Sequence, residues 1–281
     1  MRFIIMSGVL ALMVSSQVWS AEDLLKQGGF PFSYTPVTGK KVTLNQPAGA
    51  EVFAQLPNGK QQKLATVDTF EASDQVDHIA LIADFNFDGA NDVALLDSLG
   101  YGGVNYFYSL FLWDKAKNKF NPFKETLSNP NLNAKNKILT TETRSGPLWY
   151  TTKYRVNKGS LYPVAEWAMI PEGEGTLQQV TLKNAKGKVI GHKVIGGQDT
   201  QNDDTGEHLP NATAQVSSVQ AWLYEAPKPT VRSKMYLIKG DRVSLLNWQQ
   251  NEADGTSWFL VQFKGAKLVE KWLPSSDLTL P

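Results

Sequence analysis

Apolar residues along this chain recur in short runs and in alternation, without the spacing of three and four that marks a helical face. Residues 78–83 and 93–96 are compact apolar stretches bounded by turn residues, which predicts two buried strands. Residues 42–44 and 52–56 predict strands, with Pro57-Asn58-Gly59-Lys60 as a hairpin turn. Residues 105–113 have β-propensity at nearly every position and predict a longer strand, entered from Gly100-Tyr101-Gly102-Gly103. Residues 121–137 are polar and carry a proline, so a loop with at most one helical turn is expected there. Two further hairpins follow: residues 148–156 with 160–170 around Asn157-Lys158-Gly159, and residues 178–182 with 188–191 around Asn184-Ala185-Lys186-Gly187.

From Gly196 to Ala214 the hydrophobic pattern dissolves into Gly, Gln, Asp, Asn and Thr, the composition of a linker. Beyond it the rhythm tightens. Residues 215–224, 235–238, 242–246, 258–263 and 268–273 read as short strands separated by Lys239-Gly240-Asp241, Asp254-Gly255-Thr256 and Lys264-Gly265, which points to a small barrel. The expected organisation is a signal segment at 1–20, a β-rich domain at 21–195, a linker at 196–214 and a barrel at 215–281.

The N-terminus changes the picture of where this chain works. Met1-Arg2 precedes an apolar stretch at residues 3–14 that is too short to span a bilayer, with small Val18 and Ser20 placed for cleavage after Ser20. A periplasmic or secreted protein with no membrane span after cleavage is expected. No cysteine occurs, which excludes disulfides, a lipid-attachment cysteine, thiol catalysis and zinc–thiolate sites. Cleavage removes Arg2 from the 28 basic residues and nothing from the 27 acidic ones, leaving no net formal charge. A nucleic-acid partner is therefore not expected, since a phosphate backbone needs a basic surplus. Eight Trp, nine Tyr and thirteen Phe supply the core material that disulfides would otherwise replace.

The strongest chemical signal is Asp84-Phe85-Asn86-Phe87-Asp88-Gly89-Ala90-Asn91-Asp92. Oxygen-bearing side chains at positions 1, 3, 5 and 9 around a glycine at position 6 suit Ca²⁺, a hard cation that takes six to eight oxygens at about 2.3–2.6 Å. Asp84, Asn86, Asp88 and Asp92 would supply side-chain ligands and Ala90 its carbonyl. Leu95 stands where an EF-hand has its bidentate Glu, so the loop is not an EF-hand. The competing reading is a metal-free Asx-turn hairpin, because Asp, Asn and Gly are ordinary turn residues. Three acids gathered at one bend would, however, repel one another without a cation.

This strand–loop–strand unit resembles the FG-GAP/VCBS calcium-loop repeats of β-propellers and of smaller envelope proteins. The likeness implies an antiparallel calcium-loop sheet domain, propeller-like or sandwich. The succession of that loop, Leu112-Trp113-Asp114, Phe120, Leu127-Ser128-Asn129-Pro130, Arg144-Ser145-Gly146, Tyr150 and Tyr154 resembles periplasmic immunity-type inhibitors of lysozyme-like hydrolases. In such inhibitors a Ser-Gly-x-Tyr loop enters the glycosidase cleft. The resemblance therefore implies inhibitory roles for Ser145, Gly146 and Tyr150, although two extra residues separate the glycine from the tyrosine here. Residues 215–281 resemble a bacterial SH3 domain, carried by Tyr236-Leu237-Ile238-Lys239-Gly240-Asp241-Arg242-Val243, Trp258 to Phe263 and Lys271-Trp272-Leu273.

Aromatic grooves on such barrels bind peptides or peptidoglycan. Tyr224, beside Pro227 and Pro229, is the expected exposed contact, whereas Trp258 and Trp272 suit the core. His78, His192 and His208 are scattered, and no His-Glu motif, serine elbow or phosphate loop accompanies them. A binding protein, not an enzyme, is the expectation. Its partner would be a peptidoglycan hydrolase or another envelope protein, with peptidoglycan itself as a further candidate.

Overall fold

The computed structural model describes residues 30–47, 51–66, 79–173, 176–196, 205–252 and 254–281. The signal segment and its cleavage site, and His78, lie outside the described residues. Among those described, no helix is long and apolar enough to cross a membrane. The fold is mostly β, built from antiparallel sheets.

Strands β1 (Phe32–Val37), β2 (Lys40–Asn45), β3 (Glu51–Gln55) and β4 (Gln61–Thr66) form a four-stranded meander. A second meander contains β5 (Ala80–Ala83), β6 (Asp92–Leu99), β7 (Tyr106–Asp114) and β8 (Lys119–Ser128). Val42, Leu44, Val52 and Ala54 of the first pack on Ile82, Val93, Leu95, Trp113 and Phe120 of the second. The other face of the second sheet, with Leu81, Ala94, Leu96 and Leu110, packs on Leu139, Tyr154 and Leu161 of a third. The second sheet is thus buried on both faces, which is why β5 and residues 93–96 of β6 are unbroken apolar runs.

The loop expected at 121–137 is a misreading over most of its length, because residues 119–128 form the ten-residue strand β8 and residues 131–133 a further short strand. β8 is an edge strand whose solvent face is polar, so only Phe120, Leu127 and Ser128 are buried and alternation is faint. Pro122 is tolerated because an edge strand can dispense with an outward N–H. Beside it, the Gln62 side chain both donates to the Phe120 carbonyl (2.8 Å) and accepts from the Phe120 N–H (3.0 Å).

The third sheet contains β9 (Asn131–Asn133), β10 (Ile138–Ser145), β11 (Leu148–Asn157), β12 (Ser160–Met169), β13 (Leu177–Lys183) and β14 (Val189–Gly196), paired in chain order. Both hairpins fall where the turn residues placed them. Pro163 sits inside β12 where the register with β11 shifts, the usual refuge for a proline within a sheet. Residues 205–212, part of the expected linker, are packed on this sheet. Leu209 covers Trp167 and Val180, and Lys193 donates to the Glu207 and Leu209 carbonyls at 2.6 and 2.5 Å.

The C-terminal strands are β15 (Thr213–Val216), β16 (Gln220–Tyr224), β17 (Arg232–Ile238), β18 (Arg242–Gln250), β19 (Ser257–Lys264), β20 (Leu268–Pro274) and β21 (Leu278–Thr279). The single strand expected over 215–224 is two. β15 pairs with β18 and β21, while β16 pairs with β17 and β20 at the other side of the same sheet. Residues 217–219 therefore bridge distant parts of one sheet, which must curl into a half-barrel. Its core is shared: Ile170, just past β12, and Leu177 and Val194 of the third sheet pack with Leu223, Leu245, Phe259 and Leu273.

Candidate functional site

At the bend between β5 and β6, Gly89 (φ 84°) and Phe87 (φ 54°) take left-handed backbone conformations that wind the loop tightly. Asp84 Oδ1 accepts from Asp88 N–H (2.9 Å) and Oδ2 from Gly89 N–H (2.7 Å). Asn86 Oδ1 accepts from the same Asp88 N–H (3.3 Å), so the oxygens at positions 1 and 3 converge. Asp88 Oδ1 accepts from Ala90 N–H at 2.9 Å and lies 3.2 Å from Lys115 Nζ, whose ammonium also donates to the Asp88 carbonyl.

Asp92 differs from the other three. Fully buried, it accepts from Phe85 N–H (2.9 Å) on one oxygen and from Trp113 N–H (2.8 Å) on the other, tying loop to β7. Burial pushes its carboxyl up to about 8; Asp84 and Asp88 add to the rise while the two N–H donors oppose it. Asp84 is raised as well, chiefly by burial.

The donors suit a hard cation in kind, since a carboxylate oxygen that accepts one N–H keeps a second lone pair. Asp84, Asn86 and Asp88 would hold the ion. Ala90 sets its side chain in the core between the first two sheets, and Asp92, like Asp84, accepts one backbone N–H on each carboxylate oxygen. Among the described residues no three His, Asp or Glu side chains are gathered as a metal cage. Lys115 meanwhile offers the loop a positive charge from within the protein.

The β10–β11 hairpin ends in the two-residue turn Gly146–Pro147, with Ser145 paired to Leu148 and Gly146 at φ 59°. Arg144, Ser145 and Gly146 are exposed at this tip, as are Trp149 (39%) and Tyr150 (41%). The Arg144 guanidinium lies 5.8 Å from the Trp149 ring centre and donates to the Gly146 carbonyl at 3.0 Å. β9 pairs only with residues 138–140, and side chains take over the free edge of β10 beyond it. Asn105 accepts from Arg144 N–H and donates to its carbonyl, both at 2.9 Å, while Ser128 and Asn129 donate to the Glu142 carbonyl. These bonds anchor the strand that leads into the tip.

Successive side chains of a strand face opposite ways, so Trp149 and Tyr150 point to opposite faces of the third sheet. On the Tyr150 face, Leu139 and Tyr154 are covered by the second sheet and Val194 by the half-barrel. Between them a cleft of ≈ 610 Å³ remains, lined by Tyr150, Thr152, Glu166, Gln179 and Thr181 and walled by Trp248 at the end of β18. Gln179 Oε1 accepts from Trp248 N–H at 3.2 Å across the junction.

On the half-barrel, Tyr224 is half-buried, its ring edge-on to Trp258 at 4.9 Å, and Trp258 is buried. Trp222, which the sequence reading passed over, stacks under Arg232 (4.5 Å) and meets the exposed Tyr236 edge-on at 5.4 Å. Cross-strand pairing of Trp222 with Tyr236 brings these groups together, an alignment that linear spacing does not reveal. His192 lies 3.2 Å from Thr181 Oγ1, and burial lowers its pKa.

No protein-family model and no curated protein matches this chain. A solved Xanthomonas protein, described as related to a Type IV secretion system, is similar over 56% of this chain and 90% of its own, at 16% identity and a TM-score of 0.40.

Proposed function

We propose that this is an exported binding protein that inhibits a peptidoglycan-cleaving, lysozyme-like hydrolase by inserting the β10–β11 tip into its cleft. The observation that carries the reading is the tip itself, a two-residue turn that exposes Arg144, Ser145, Trp149 and Tyr150 on a clamped hairpin. Tryptophan, tyrosine and arginine are the residues that dominate interface energetics. A glycosidase cleft offers one protonated and one ionised carboxyl, a donor and an acceptor that a single serine hydroxyl can satisfy together. Preorganisation by Asn105 and Asn129 lowers the ordering cost of docking.

The Asp84–Asn86–Asp88 loop is the calcium site in this proposal, a structural one that joins β5 to β6 remote from the tip. The decisive assay is protection of cell walls from lysozyme-type enzymes by the purified protein. Protection should be lost in Ser145→Glu, which places a third carboxylate against the pair. If the native protein leaves lysis unchanged across a panel of such hydrolases, the proposal fails.

A second reading, an envelope adaptor working through the half-barrel, is favoured by the cluster of half-buried Trp222 with exposed Arg232 and Tyr236. Under it, Tyr236→Ala would abolish partner capture and Ser145→Glu would not.

A further inference from the structure

We infer that the cleft between the third sheet and β18 binds a neutral oligosaccharide strand. Its floor is two cross-strand rows, Thr152–Glu166–Thr181 and Tyr150–Ala168–Gln179, running over β11, β12 and β13. Adjacent strands lie about 4.8 Å apart, so the floor is roughly 10 Å wide and carries hydroxyl, carboxylate and amide groups side by side. A sugar ring presents the complementary set, hydroxyls that donate and accept at once.

Tyr150 and Trp248 contribute aromatic surface to the lining, which suits the C–H faces of sugar rings. Gln179 is fixed through its oxygen by the Trp248 N–H, which leaves its amide nitrogen to donate into the cleft. Ala168 at mid-floor keeps the centre low.

Charge narrows the choice of ligand. No Lys or Arg lines the cleft to attract an anion, and Glu252 adds a carboxylate to it. Glu166 is already paired with Lys183, so a cationic ligand would have to compete for it. The Thr, Gln and Glu groups of the lining would be left without partners by an acyl chain or an apolar peptide. The inference stands apart from the hydrolase proposal and shares only Tyr150 with it.

The test uses the full chain and tetramers of N-acetylglucosamine, β-linked glucose and α-linked glucose as probes, read by tryptophan fluorescence and by calorimetry. At least one tetramer should bind saturably, and Ala168→Gln, which fills the floor, should weaken it about tenfold or more. Gln179→Leu, which removes the donor and keeps the bulk, should do the same. Cell-wall protection should be unchanged in Ala168→Gln, which separates this site from the tip. Absence of saturable binding up to about 10 mM of every tetramer overturns the inference. So does binding that both variants leave intact.

Discussion

Asp92→Ala tests whether the buried carboxylate is a structural pin between loop and sheet. The side chain accepts from Phe85 N–H and Trp113 N–H, both buried, and alanine supplies neither acceptor. Each orphaned buried donor costs about 1–3 kcal/mol, so the pair costs roughly 2–6 kcal/mol. Removing Asp92 also relieves a burdened group, since burial and the charges of Asp84 and Asp88 raise its pKa to about 8. That relief offsets part of the loss and leaves an expected net destabilisation of about 2–4 kcal/mol.

Urea unfolding followed by tryptophan fluorescence reads this directly, as a lower midpoint at unchanged slope. Asp92→Asn, which keeps one acceptor and turns an N–H₂ toward the other donor, should fall between alanine and wild type. A loss below about 1 kcal/mol in Asp92→Ala would refute the assignment, because neither donor could then depend on this side chain.

Calcium at a hundred times its Kd should stabilise the chain by about 2.7 kcal/mol, with chelation reversing the gain and Asp84→Ala abolishing it; identical melting curves with and without the ion sink the metal proposal. Trp149→Ala should weaken hydrolase binding by about 2 kcal/mol, roughly thirtyfold, without changing the melting temperature, and an unchanged inhibition constant would remove the tip from the interface. Truncation after residue 214 should yield an aggregation-prone product, because it strips cover from Ile170, Leu177 and Val194; a monomeric, cooperatively melting product would show that the shared core is dispensable. Gly206→Ala should destabilise by about 1 kcal/mol or more, since φ is 76° and the added Cβ would lie 2.9 Å from Trp167, and thermal unfolding measures it.

The β5–β6 unit was legible in the sequence because its signals are local: an apolar run, a loop of Asp, Asn and Gly at fixed spacing, another apolar run. So were the turns at Asn157-Lys158-Gly159 and Asn184-Ala185-Lys186-Gly187, where the residues themselves select the backbone. Strand β8 was not, because an edge strand buries so little that Phe120 and Leu127 alone mark it. The role of Asp92 escaped for a related reason. Position 9 of the motif reads as an oxygen donor, and only the approach of Trp113, 21 residues later, shows that the same side chain also pins β7 to the loop. The cleft is less legible still, since Gln179 and Trp248 are 69 residues apart and each looks ordinary alone. Pairing of distant strands, not composition, makes it.

The outer border of β8 bears on how this chain treats its neighbours. A sheet margin with unclaimed amides invites another molecule to extend it by one more ribbon. Here the Gln62 amide already occupies both main-chain groups of Phe120, and two residues along, Pro122 has no hydrogen to offer. An incoming extended peptide would find its ladder interrupted at two successive rungs. Growth of the sheet by another copy of this chain is therefore disfavoured at residues 120–122 of that border.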